Sequence, residues 1–208
     1  MSLTRELRWN KKDSASKTAQ ARQCKQGSGP MIEAYSDSVG SGLPLRVLGP
    51  QDRSAFLAHL LRLSPQDRYS RFSRVASDTV ITSYVQDRFN QHAYFFGMFD
   101  HDILRGVVEL HCMDEVCTQA ELAFSIEGAW RGKGWGRRLC QRALLEARQH
   151  HIKQLHIHCL AHNFAMLALA REAKARLVIE DQEAAAVITL EEGFEGMTQW
   201  AGMSGVHL

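Results

Sequence analysis

A short apolar run, a glycine-rich turn and an amphipathic stretch follow one another between residues 120 and 147. The run is Ala120-Glu121-Leu122-Ala123-Phe124-Ser125-Ile126, and the turn is Arg131-Gly132-Lys133-Gly134-Trp135-Gly136. After the turn, Leu139, Cys140, Ala143, Leu144 and Ala147 recur at helical spacing. A strand that enters a helix through glycines exposes backbone N–H groups that have no partner inside the helix. Those groups and the positive end of the helix dipole form an anion site. Glycine lets a phosphate approach the backbone closely, and Arg131, Lys133, Arg137 and Arg138 add positive charge. Two other phosphate loops do not fit. A P-loop needs Ser or Thr after its lysine, a position that the turn does not supply, and the third glycine comes too early for G-x-G-x-x-G.

The flanking pattern gives a layered fold. Leu45-Arg46-Val47-Leu48 reads as an opening strand, and Asp52 precedes a helix with Phe56, Leu57, Leu60 and Leu61 on one face. Ser64 and Pro65 read as the N-cap and first position of the next helix, with Asp67 in its acidic first turn. A further helix covers 78–89. Strands cover Ala93–Phe99, Ile103–Cys112 and Thr118–Ile126, and another runs over Gln154–Leu160. A helix from Asn163 to about Lys174 and strands at 176–180 and 185–190 complete the order. Strands alternating with helices in this way predict an α/β (mixed α+β) domain, a central mixed sheet with helices on both faces.

Composition sets the surroundings. The chain has 208 residues, 45% of them hydrophobic, enough for one domain and a tail. Residues 1–30 carry seven Lys or Arg and two acids, so 1–42 is expected to be a basic, flexible arm. A formal net charge of +2 does not favour nucleic acid as a partner of the whole molecule. Cys24, Cys112, Cys117, Cys140 and Cys159 make an odd count without a C-x-x-C pair, from which free thiols in a reducing compartment are expected. No apolar run has membrane length, and a cytoplasmic location with no membrane partner is expected.

The residues of the turn match a known pattern. Arg131-Gly132-Lys133-Gly134-Trp135-Gly136 resembles the Q/R-x-x-G-x-G/A motif of the GNAT superfamily of N-acetyltransferases. Asn163, Met166 and Leu169 resemble the N-x-x-M-x-x-L helix start of that superfamily. Leu63-Ser64-Pro65-Gln66-Asp67-Arg68-Tyr69-Ser70-Arg71-Phe72 is similar to the L-S-P-E-x-R-Y-x-R-F segment of Pat-type bacterial protein lysine acetyltransferases. Ala120-Glu121-Leu122-Ala123 is similar to their A-E-F-A strand. The resemblance covers residues 43–192, with a tail at 193–208. It implies a GNAT fold, a mostly antiparallel sheet of six to seven strands. It also implies acetyl-CoA as co-substrate, bound by Ser125, Ile126, Glu127, Arg131, Gly132, Lys133, Gly134, Trp135, Gly136, Arg137 and Asn163, with no metal.

The implied chemistry is acetyl transfer to a primary amine, on a protein lysine or a small molecule. The amine must attack in its neutral form, and holding a lysine neutral at pH 7 costs about 4.6 kcal/mol. A carboxylate that takes the proton during attack removes that cost. Glu121, a charged residue inside an apolar strand and at the position of the Pat-type base, is the catalytic candidate, with Glu109 in reserve. GNAT enzymes commonly protonate the leaving thiolate from a tyrosine in the helix after Asn163. Here Ala170 stands at that place, and no tyrosine follows Tyr94. That departure keeps a second reading open, an acetyl-CoA-sensing regulatory module. The Gly-Phe pair that commonly ends the same helix is missing, with Ala173-Lys174-Ala175-Arg176 in its place, so the following strand is expected to be displaced. His150, His151, His156, His158 and His162 cluster, but His156 and His158 alternate with Leu155, Ile157 and Cys159 as a polar strand face would. The acceptor, and whether the chain forms a homodimer, are not named by any motif.

Overall fold

Among the described residues, five α-helices and seven strands grow from local signals that the chain carries in series. The computed structural model describes residues 44–89 and 92–190, so the expected arm at 1–42 and tail at 193–208 lie outside the described residues. Strand β1 is Leu45–Val47 and helix α1 is Arg53–Leu61. Before α1, Asp52 is held by Arg46 at 2.7 and 2.9 Å and by the Gly49 N–H at 3.0 Å. Helix α2, Pro65–Phe72, starts as expected: Ser64 Oγ accepts from the Asp67 N–H at 3.2 Å, with Pro65 at the first position. Ser77 caps α3, Asp78–Arg88, in the same way through Val80 N–H.

The strands are β2 (Ala93–Asp100), β3 (Ile103–Cys112), β4 (Gln119–Ile126), β5 (Gln154–Leu160), β6 (Arg176–Glu180) and β7 (Glu183–Thr189). Helix α4, Trp135–Gln149, joins β4 to β5, and α5, Phe164–Glu172, joins β5 to β6. The sheet order is β1-β2-β3-β4-β5-β7-β6, and only the β4–β5 pair is parallel. Successive strand residues point to opposite faces, so each strand feeds two cores. Phe96, Val108, Leu110 and Leu122 pack with Leu139, Ala143 and Ala147 of α4. Phe95, Phe99 and Val107 pack on the other face with Phe56 and Leu60 of α1 and Ile81 and Val85 of α3.

One break in the sheet positions the site. The parallel ladder of β4 and β5 holds only Gln119↔Gln154, Ala120↔Leu155 and Glu121↔His156. Beyond that point β4 stays with β3 as far as Ile126↔Gly106, while β5 stays with β7 as far as Leu160↔Glu183. Each strand follows its own antiparallel neighbour, the more stable pairing, and the two part. The result is a wedge whose apex is Glu121 and His156. The helices that follow β4 and β5 start at its open end.

Two expectations are corrected. The structure joins Cys112 and Cys117 as a disulfide, with Cα atoms 4.8 Å apart, so these thiols are not free; Cys140 and Cys159 are free and buried. The turn between β3 and β4 brings back a residue five positions on, a spacing that a search for C-x-x-C does not register. The missing glycine after α5 does not shift the next strand, because Lys174 itself takes the left-handed conformation at φ 57° and β6 begins at Arg176. Among the described residues, no helix is long and apolar enough to cross a membrane.

Candidate functional site: the wedge between β4 and β5

At the open end of the wedge the chain passes through a 3-10 turn, Gly128–Trp130, into the glycine segment. Gly132 and Gly134 both have positive φ, 71° and 81°, and a Cβ on either would meet nothing within 4 Å. Glycine is therefore needed at both for backbone conformation, and the space beside both is open. The first amide of this segment to close a helical bond is that of Arg138, to Gly134 O at 3.2 Å. The amides of residues 132–137 come before it and have no backbone acceptor among the described residues. Consecutive free N–H groups at the start of a 15-residue helix form an anion cradle.

The missing side chain of Gly136 also serves packing. A Cβ there would lie 3.3 Å from Leu169 Cδ1 and 3.7 Å from Ile126 Cδ1. This glycine lets α4 close on α5 and on β4. Trp135 is buried, with Arg138 over its ring at 4.6 Å, so its side chain packs in the protein.

The cations divide into two groups. Arg131 donates from Nε and an Nη to Ile126 O, both at 3.0 Å, and pairs with Asp67 Oδ1 at 2.6 Å. Arg137 grips Glu172 of α5 at 2.8 and 3.0 Å. These two fasten the turn to α2 and α5. Lys133, 5.1 Å over the Trp130 ring, and Arg138 form no ion pair among the described residues. They supply the uncommitted charge at the cradle.

The wall of the wedge is braced from behind by α1. Ser125 Oγ lies 2.9 Å from Nε2 of His59, which is fully buried, and His59 Nδ1 lies 3.3 Å from Glu127 Oε1. Glu127 also accepts from Arg62 at 2.8 Å and Arg105 at 2.9 Å. Burial acts to raise its pKa, but hydrogen bonds from His59, Arg62 and Arg105 outweigh burial and hold it at about 2. Of the three strand residues expected to bind acetyl-CoA, Ser125 and Glu127 thus commit their side chains to the α1 side, and Ile126 packs against the α4 core. What this segment offers a ligand is the backbone edge of β4.

Around the apex, Glu121 is half-buried and accepts no hydrogen bond from the described residues. His111 is its register partner on β3 and His156 its partner on β5. Burial pulls the His156 pKa down, aided by His158 and opposed by Glu121, which favours the neutral imidazole. Its Nε2 lies 3.2 Å from Gln119 Oε1. Sequence alternation placed His156 on a polar strand face; only the pairing of β4 with β5 sets it beside Glu121.

Glu109, the reserve base, is locked. It is fully buried, paired with Arg71, and bonded to Tyr84 O–H at 2.7 Å and His111 Nε2 at 3.0 Å. Burial acts to raise its pKa, but Arg71 and His111 overcome this and hold it well below the usual carboxylate range. A carboxylate so engaged is a poor proton acceptor.

On the far side, Asn163 caps α5 by accepting from Met166 N–H at 3.2 Å, which occupies its carbonyl oxygen and leaves its amide N–H₂ for a ligand. Ala170 is 1% exposed and sits in the α4 core, so its small side chain is part of the packing. His59, Arg62, Arg105 and the Arg71–Tyr84 pair were not singled out beforehand. Apart from Asp100, which faces Arg105 at 3.7 Å, their hydrogen-bond and ion-pair partners lie 13 to 68 residues away, and no local pattern marks them.

Known proteins share this fold. Residues 43–176 match the acetyltransferase (GNAT) domain. No curated protein matches the chain. Among solved structures, the GNAT domain of Streptomyces lividans PAT superposes with a TM-score of 0.60 at 18% identity, covering 71% of this chain and 90% of that one. The protein yncA from Salmonella typhimurium, solved with its cofactor acetyl-CoA, gives 0.58 at 14% identity, with 73% and 96% covered. An acetyltransferase from Salmonella typhimurium that modifies the N-terminal serine of a ribosomal protein gives 0.56 at 15% identity, with 73% and 97% covered. At these identities the likeness is one of fold, and the match over most of the domain settles kinship: the chain belongs to the GNAT family of acetyltransferases.

Proposed function

We propose that this protein transfers an acetyl group from acetyl-CoA to a primary amine. The observation that carries the reading is the parting of β4 and β5 directly beside the unpartnered amides of residues 132–137. The pyrophosphate would rest on those amides, with Lys133 and Arg138 nearby. The pantetheine would follow the open edge of β4 along Ser125–Glu127, and the acetyl group would approach the apex. There Glu121 takes the proton of the attacking amine, with neutral His156 beside it as a second place for that proton. The amine, a protein lysine or a small molecule, attacks the carbonyl carbon directly, and the thiolate leaves. With Ala170 in the core at the usual tyrosine position, the thiolate leaves without a proton from that helix. A thiol pKa near 8.5 makes such a departure tolerable. The same alanine favours a second reading, an acetyl-CoA-sensing module with little turnover.

The test is binding. Gly134→Asp places a carboxylate beside the cradle, in a conformation Asp tolerates better than most residues. Calorimetry should show acetyl-CoA affinity reduced by about tenfold or more. A folded variant that binds as tightly as the wild type removes the reading. Labelled acetyl-CoA with a panel of amines and proteins then separates enzyme from sensor.

A further inference from the structure

Beyond the apex of the wedge, at the turn end of the β3–β4 hairpin, three metal-binding donors converge. The ligand atoms of His92, Cys112 and Cys117 all lie within 4.8 Å of one another. His92 is exposed, Cys112 half-buried and Cys117 buried. The cluster is held by more than the sulfur–sulfur bond. The Cys112 N–H donates to His92 O at 3.0 Å, which sets these two neighbours side by side across β2 and β3. Cys117 is returned by a loop wrapped around Asp114. That carboxylate accepts from the N–H of Val116, Thr118 and Gln119 at 2.9–3.1 Å and from Thr118 Oγ1 at 2.9 Å, and Cys117 N–H donates to Asp114 O at 3.2 Å. Reduction of the disulfide would leave all of these bonds in place, and the two thiols would stay together beside the imidazole.

We propose that the reduced Cys112–Cys117 pair and His92 bind a zinc ion, making this corner a metal site that exists only while the disulfide is open. Two thiolates and one imidazole are a zinc donor set, and the exposed side of His92 leaves a fourth position for water. Tetrahedral zinc holds two sulfurs ~3.8 Å apart, from Zn–S bonds of ~2.3 Å, a separation that two reduced thiols on Cα atoms 4.8 Å apart can reach. Binding releases the two thiol protons. The bonded pair is the other state of the same atoms. A peroxide takes two electrons from the two thiolates, the S–S bond forms, the peroxide and two protons become two waters, and the zinc leaves.

Cobalt(II) reports this directly. The full-length chain, reduced with a phosphine and freed of oxygen, should take up one cobalt per chain and show thiolate charge-transfer and tetrahedral d–d bands. Zinc should bleach them, and hydrogen peroxide should abolish them with loss of two titratable thiols. Cys112→Ser and Cys117→Ser should each remove the charge-transfer spectrum, and His92→Ala, an exposed change that spares the fold, should weaken binding roughly tenfold or more. Cys24→Ser should change nothing. A fully reduced chain that gives no tetrahedral cobalt spectrum overturns the proposal, as does a spectrum that persists in Cys117→Ser or vanishes in Cys24→Ser.

Discussion

Glu109 and Glu121 face the same side of adjacent strands, and the alternation of each strand treats them alike. Their surroundings do not. Helices α2 and α3 bring Arg71 and Tyr84 onto Glu109, and His111 closes the third side. Glu121 lies where the sheet begins to open, half-buried and without a donor. The lesson concerns what marks a base. A carboxylate buried with its charges paired is structural, and one beside a cleft with its lone pairs free can accept a proton.

The largest effect that tests this contrast is in turnover. Glu121→Gln should lower the acetylation rate by about 10²–10⁴-fold while acetyl-CoA affinity and melting temperature stay near wild type. The loss should shrink as pH rises, because more of the amine arrives neutral. Steady-state rates across pH measure this, and undiminished turnover would pass the role to His156.

Glu109→Gln should do the reverse. It leaves the Arg71 charge buried without its counter-ion, at a cost of about 3–5 kcal/mol in stability. Urea unfolding reads that cost, and Glu109→Gln combined with Arg71→Met should recover part of it. A Glu109→Gln variant that is stable but inactive would erase the distinction between the two glutamates.

A smaller effect comes with acid. The Glu127 carboxyl is held at about 2 in the folded state, below the ~4.3 of an unfolded glutamate. The folded chain therefore binds fewer protons, and the contribution is whole above about pH 4.3 and lost as pH falls through about 2. Glu109, also depressed, acts in the same direction. Glu127→Gln should be less stable at neutral pH and show a shallower loss of stability across that window.

The smallest effect gives a baseline at a place that touches neither glutamate. Lys174 holds a left-handed conformation at φ 57° that glycine adopts without strain. Lys174→Gly should change stability by no more than about 1 kcal/mol, toward greater stability, with turnover unaffected. A marked loss would mean that the lysine side chain, rather than the turn, holds the end of α5.

Much of the scaffold was legible because its causes are local. Ser64 and Pro65 start α2 through bonds to residues three or four positions away. Gly132 and Gly134 announce a turn that only glycine makes easily, and alternation in β5 marks its two faces. These follow from φ, ψ and side-chain chemistry within one turn or one pleat, which neighbouring residues fix by themselves. The tertiary structure decided the rest: that Gly136 serves helix packing, that Cys112 meets Cys117, that His59 braces Ser125 from 66 residues away, and that His156 stands beside Glu121. Each depends on which strand pairs with which and where the pairing stops. That is set by the packing of both cores at once, and no window along the chain contains it.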